Sequence, residues 1–146
     1  MATNVQVVLD CADPDRLARF WAAALQYEFQ PPPPGHDSWE SFLESIGVPR
    51  EDWNSASAVI DPAGVGLRLY FQRVPEPKTV KNRLHLDLSV GGGRATPPDE
   101  RKRRVEAEVE RLTALGAREI ARHSDERFGE SNVVMADPEG NEFCLQ

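Results

Sequence analysis

Eight polar residues fall at alternate positions of four short β-type runs. In Val5–Asp10 they are Gln6 and Asp10, and in Leu67–Gln72 they are Arg68 and Tyr70. In Leu84–Ser89 they are His85 and Asp87, and in Glu142–Gln146 they are Glu142 and Cys144. Neighbouring strand residues point to opposite sides, so each pair shares one face of its strand. The other face of each run is apolar: Val5, Val7 and Leu9; Leu67, Leu69 and Phe71; Leu84, Leu86 and Leu88; Phe143 and Leu145. These apolar sets are expected to pack under helices. The polar set brings together imidazole, carboxylate, thiol, phenol and guanidinium groups, and it holds no lysine. Such groups can ligate a metal or move protons. The face is either the solvated side of an antiparallel sheet or, where the sheet coils, a concave ligand site.

Other chemistry-bearing residues have plainer readings. Cys11 follows the first strand and is expected to be a small buried hydrophobe. His36 and His123 fall in loop or exposed segments. Trp39 and Trp53 lie in an insert and either wall a ligand mouth or simply pack. Gly91–Gly93 could cradle phosphate but lacks the Lys and Ser/Thr of a P-loop, so a flexible loop is expected. The basic run Arg101–Arg104 is interleaved with Glu100, Glu106, Glu108 and Glu110, which makes it the solvated face of a helix.

The elements that position these residues occur twice. Asp61-Pro62-Ala63-Gly64 and Asp137-Pro138-Glu139-Gly140 share the pattern D-P-x-G, at almost the same interval after Asp10 and Asp87. Asp, Pro and Gly at the first, second and fourth positions suit a type I turn, here leading a hairpin into a final strand. Each half also carries an amphipathic helix. In the first, Asp13 is a good N-cap and Pro14 a good first residue, and Leu17, Phe20, Trp21, Ala24 and Leu25 follow at helical spacing. In the second, Thr96 and Pro97 repeat the start signal, Val105, Val109, Leu112 and Leu115 form the stripe, and Gly116 is the stop. Each half is therefore expected to run β-α-β-β-β, giving an α+β protein. Module one covers about 4–74 and module two about 82–146 of a single domain, 1–146. The first half adds the Pro31–Pro34 run and an extra helix carrying Trp39, Phe42, Leu43 and Ile46.

Bulk properties exclude classes of function. A chain of 146 residues with 40% hydrophobic and 28% charged residues can bury a core. Its net charge of −7 repels phosphate backbones and anionic membrane surfaces, so neither nucleic acid nor membrane is an expected partner. Two cysteines do not make a disulfide scaffold. The segment Met1–Asn4 lacks the basic flank and apolar core of a secretory signal, and a cytoplasmic location is expected.

With these motifs in place, the chain resembles the vicinal oxygen chelate superfamily, and within it the glyoxalase-like domains. That superfamily holds glyoxalase I, extradiol dioxygenases, fosfomycin-resistance enzymes and bleomycin-binding proteins. The resemblance is carried by VVLDCADPDRLARFWAAAL, DPAGVGLRLYFQRVPEPKTVKNRLHLDL, EVERLTALGA and VMADPEGNEFCL, which together span almost the whole chain. It implies paired βαβββ modules forming an incomplete barrel with a concave sheet face. It also implies one divalent metal ion, Zn, Ni, Mn or Fe, held by side chains of the first and last strands. The ligand places fall on Gln6, on His85, and on Cys144, where D-P-x-G-x-x-x-E would put a glutamate. The matching place in the first half falls on Arg68, or on Tyr70 with a slip of two, and Arg cannot bind a metal. Metal-free use of the same pocket therefore stays open beside the Gln6–His85–Cys144 site.

On this resemblance Glu142 and Tyr70 are the candidate catalytic groups, and Arg68, Asp87 and Trp39 the candidate ligand contacts. The implied activity is a metal-dependent lyase, isomerase or dioxygenase acting on a small oxygenated molecule. The alternative is a non-catalytic protein that sequesters an antibiotic or metabolite. A homodimer is the implied assembly.

Overall fold

Asp13 starts the first helix as its position signals. Its carboxylate accepts a hydrogen bond from the Arg16 amide at 3.2 Å, and Pro14 opens helix α1, Pro14–Leu25. One face of α1 buries Leu17, Phe20, Trp21 and Ala24, with Phe20 and Trp21 packed edge to face at 5.5 Å. A 12-residue helix is marginal in water, so this buried stripe against the sheet is what holds it. The computed structural model describes residues 3–93, 95–125 and 130–146. The chain divides into two compact units, 1–77 and 78–146, each with its own sheet.

In the first unit the strands are β1 (Val7–Cys11), β2 (Glu28–Phe29), β3 (Ala56–Ile60) and β4 (Leu69–Arg73), in the order β1-β4-β3-β2. Helix α1 packs on β3 and β4, over Val59, Leu69 and Phe71. The Asp61 turn joins β3 to β4, with the Gly64 amide donating to the Asp61 carbonyl at 2.9 Å. Between β2 and β3 the insert forms a short helix α2, Trp39–Ser45, capped by Ser38, and a 3-10 turn, Arg50–Asp52. Cys11 is buried as expected, at 3% exposure.

The second unit repeats the plan with β5 (Leu86–Leu88), α3 (Pro98–Ala114), β6 (Arg118–Asp125), β7 (Glu130–Ala136) and β8 (Glu142–Leu145). Its sheet order is β5-β8-β7-β6. Helix α3 buries Val105, Val109 and Leu112 toward β6, β7 and β8. Its outer face is the expected lattice of ion pairs: Arg103 and Arg104 pair with Glu100, and Arg111 pairs with Glu108. Gly116 takes φ +106 just past the helix, the left-handed conformation that makes glycine a helix stop. Both sheets are open, and neither closes into a barrel among the described residues. No helix among the described residues is long and apolar enough to cross a membrane.

Three expectations are corrected. The sheets are mixed rather than antiparallel: β1 pairs parallel with β4 and β5 parallel with β8, so the first strand of each module lies beside its last. Thr96 does not cap α3. Its hydroxyl donates to the Gly92 carbonyl at 2.8 Å, and Pro97 takes the cap position without a side-chain bond. Prolines at 97 and 98 carry no N–H, so fewer donors are left there for a cap to satisfy. Finally, Val5, Leu67 and Leu84 are exposed rather than packed under helices. Each lies just before its strand begins, outside the paired register, where alternation no longer fixes a side.

Candidate functional site

The second unit brings three potential metal ligands together. Asp87 lies opposite Cys144 in the parallel β5–β8 pairing, so both side chains leave the same face. His85 lies just before β5, and its side chain reaches the same cluster, with Nε2 3.3 Å from Asp87 Oδ1. One nitrogen, one carboxylate oxygen and one sulfur of His85, Asp87 and Cys144 lie within 4.8 Å of one another. Three such donors leave room for a water or substrate oxygen, the pattern of an open zinc-type site. Burial first, and then the Asp87 carboxylate, push the Cys144 thiol above its usual range. A metal would have to displace that proton, because thiolate is the ligand form.

Two neighbours on this face bear on the site. Glu142, two residues before Cys144, forms an ion pair with Lys81, which holds its carboxyl below the usual glutamate range. Asn132 is one alternation step along β7 from Val134, the residue opposite Cys144, and so shares its face. The Asn132 Oδ1 is buried without a hydrogen-bond partner. Nitrogen, oxygen and sulfur donors this close together suit a divalent cation. The donor set therefore fits a divalent metal.

Gln6 is placed differently. Its Oε1, the atom the resemblance offers to a metal, accepts a hydrogen bond from Arg68 Nη1 at 2.6 Å within the first unit. Arg68 Nε donates to Gln30 Oε1, also at 2.6 Å, and its guanidinium lies 5.1 Å from the Tyr70 ring centre. Gln6 and Arg68 meet because β1 and β4 run parallel in register, one step before Val7 faces Leu69. Asp10 is exposed farther along β1.

Arg68, Tyr70 and Gln30 form part of the wall of a cleft of about 840 Å³ in the first unit. The insert supplies the opposite wall through Trp39, Leu43 and Trp53. Trp39 is tied to the sheet edge, its indole N–H donating to the Gln30 carbonyl at 2.7 Å. Trp53 donates to the Val48 carbonyl at 2.9 Å and lies under Arg50. Trp39 and Trp53 are both among the residues that line this cleft. His36 instead packs edge to face on Phe42 at 5.1 Å, and His123 is exposed on β6.

Sequence reasoning missed three neighbours of these sites. Asp87, expected as a ligand contact, lies beside His85 and Cys144, and its alternation with His85 was the available signal. Gln30, Asn132 and Lys81 carried no signal, because each acquires its partner or its face through strand pairing or long-range contact.

A family model described as a glyoxalase-like domain matches residues 6–146. A glyoxalase/bleomycin resistance protein/dioxygenase family enzyme from Burkholderia phytofirmans shares 16% identity, over 96% of this chain and 94% of its own, at a TM-score of 0.58. The fosfomycin resistance protein FosX from Listeria monocytogenes, complexed with Mn(II) and 1S,2S-dihydroxypropylphosphonic acid, shares 13% identity over 100% and 90%, at 0.62. TioX from Micromonospora shares 17% identity over 99% and 97%, at 0.53. Identities this low show the fold, which is that of the vicinal oxygen chelate proteins. No curated protein matches the chain.

Proposed function

Since this chain belongs to the glyoxalase-like domain family, we propose that it acts on a small oxygenated molecule with one divalent metal ion held by its second module. His85, Asp87 and Cys144 would hold the ion. The observation that carries this reading is that the donor atoms of the three ligands lie within 4.8 Å of one another. The FosX relative binds Mn(II) on the same fold. A metal there would act as a Lewis acid on a carbonyl or enediolate oxygen of the substrate.

The chain's own residues do the rest of the work. Asp87 and His85 lie 3.3 Å apart, close enough to meet on one ion. Glu142, kept ionised by its ion pair with Lys81, is the group that would accept a proton. Tyr70 offers a phenol to the first-module cleft. Gln6 contributes by orienting Arg68 instead of ligating metal.

Titration of demetallated protein with Zn²⁺, Ni²⁺, Mn²⁺ and Fe²⁺ tests the reading. One ion per chain is expected for at least one metal, with stoichiometric uptake lost in His85→Ala and in Cys144→Ser. If the wild type takes up none, the metal reading fails. If His85→Ala binds as well as wild type, the ligand assignment fails. Light scattering of the same samples tests the homodimer.

A second reading, ligand sequestration without chemistry, is favoured by one observation. The first module's last-strand ligand place holds Arg68, a cation, and the cleft beside it is walled by Trp39, Trp53 and Tyr70.

A further inference from the structure

The cleft of the first module contains a fixed positive charge that no carboxylate among the described residues pairs with. Arg68 is half-buried and held from two sides by neutral acceptors, Gln6 Oε1 and Gln30 Oε1, each at 2.6 Å. It also lies over the face of Tyr70. No carboxylate pairs with Arg68 among the described residues, although this acidic chain pairs many of its other arginines with Asp or Glu. Among the cleft's own carboxylates, Asp15 is paired with Arg19 at 2.9 Å, and Glu40 is exposed on the first turn of α2.

Such an arrangement has a chemical meaning. Two amide oxygens use one Nε and one Nη1 hydrogen of the guanidinium, so Nη2 has no protein partner among the described residues. Held this way, the group loses little rotamer freedom when an anion arrives, and its planar edge matches the two oxygens of a carboxylate. The surrounding wall is aromatic: Trp39 and Trp53 have their indole N–H groups satisfied by backbone carbonyls, so what they offer the cleft is ring surface. The volume of about 840 Å³ suits a molecule of drug-like size.

We propose that the first-module cleft is a receptor for a flat aromatic carboxylate, with Arg68 pairing the carboxylate and Trp39, Trp53 and Tyr70 contacting the ring. Gln6 and Gln30 are positioning residues that aim the guanidinium. The proposal rests on the cleft being a small-molecule site, and it is independent of a metal in the second module.

Calorimetric titration of metal-stripped protein with 2-naphthoate, its neutral twin 2-naphthamide and 2-naphthylphosphonate tests it. Wild type is expected to bind naphthoate about tenfold or more tightly than naphthamide, because the ion pair adds to the same ring contact. Arg68→Met should erase that preference while leaving naphthamide affinity within about twofold. Trp39→Ala should weaken both ligands alike. If Arg68→Met does not fold, Gln30→Leu serves instead: it keeps the charge, loses one clamp, and should reduce the naphthoate preference without abolishing it.

Equal binding of naphthoate and naphthamide by wild type overturns the anion assignment while leaving the cleft as a small-molecule site. Tighter binding of the phosphonate than of the carboxylate overturns the choice of carboxylate. Failure of all three probes to bind overturns both the proposal and the small-molecule reading of the cleft. A metal-uptake result of either sign leaves the outcome unchanged.

Discussion

Replacing Asp137 by alanine is expected to destabilise the protein by about 2–4 kcal/mol and to weaken metal uptake. The side chain is 4% exposed. Its Oδ1 accepts the backbone amides of Glu139 and Asn141, each at 2.9 Å, and its Oδ2 accepts the Asn141 side-chain amide at 2.9 Å. A hydrogen bond to a charged acceptor contributes about 1.5–3 kcal/mol, and a buried donor left unpaired costs about 1–3 kcal/mol. These terms overlap, which sets the range. Asp61 makes the same kind of turn, accepting from Ala63, Val65 and Gly66 at 2.7–3.1 Å, but on an exposed surface where water can replace it. Asp61→Ala should therefore cost clearly less. Strand β8 begins at Glu142, directly after the Asp137 turn, so Asp137→Ala should also move Cys144 away from Asp87. Urea unfolding followed by tryptophan fluorescence gives the stability difference, and titration with Zn²⁺ gives the uptake. Equal losses for Asp61→Ala and Asp137→Ala, or an Asp137→Ala protein within about 0.5 kcal/mol of wild type, would refute the argument.

Other outcomes follow from the same coordinates. Trp21→Ala empties the centre of the first core, where Trp21 is 1% exposed, and should cost about 3–5 kcal/mol in urea melts. Val8→Ala, at 48% exposure in the same unit, should stay within about 0.5 kcal/mol of wild type. Gly116→Ala forces a side chain to φ +106 and should cost about 1–2 kcal/mol, although the nearest atom to the new Cβ, Pro138 Cγ, is a comfortable 3.6 Å away. Acid titration of stability tests Asp13, whose carboxyl is held below its ordinary 3.8, first by the Asn54 side chain and then by the Arg16 amide. That contribution is complete above the unfolded value and disappears as pH falls through the lower folded one. The stability gap between wild type and Asn54→Ala should accordingly narrow below about pH 4; a gap constant from pH 7 to pH 2 would contradict it.

Much of the architecture was legible because the relevant signals are local. The D-P-x-G turns, the Asp13 cap, the Leu17–Trp21–Ala24 stripe and the Gly116 stop depend on residues within a few positions of one another. Strand alternation rests on the same short range, and it placed Asp87 and Cys144 on one face, as it did Arg68 and Tyr70. The signals failed where neighbours in space take over. Thr96 looks like a cap until the Gly92 carbonyl comes within reach of its hydroxyl. Val5, Leu67 and Leu84 look like core until the strands start two residues later than the apolar runs.

The sequence by itself determined the doubled βαβββ plan and the membership of each polar face, since both follow from periodicity and turn chemistry. It could not decide which polar groups touch. Gln6 and Arg68 are far apart along the chain, as are Asp87 and Cys144, and only the parallel pairing of each module's first and last strands brings them together. That pairing turned two similar-looking faces into different sites. One is a guanidinium clamped by two amides beside an aromatic cleft; the other is a cluster of nitrogen, oxygen and sulfur donors. Residue types set which chemistry each module could perform, and strand register selected which of it the folded chain presents.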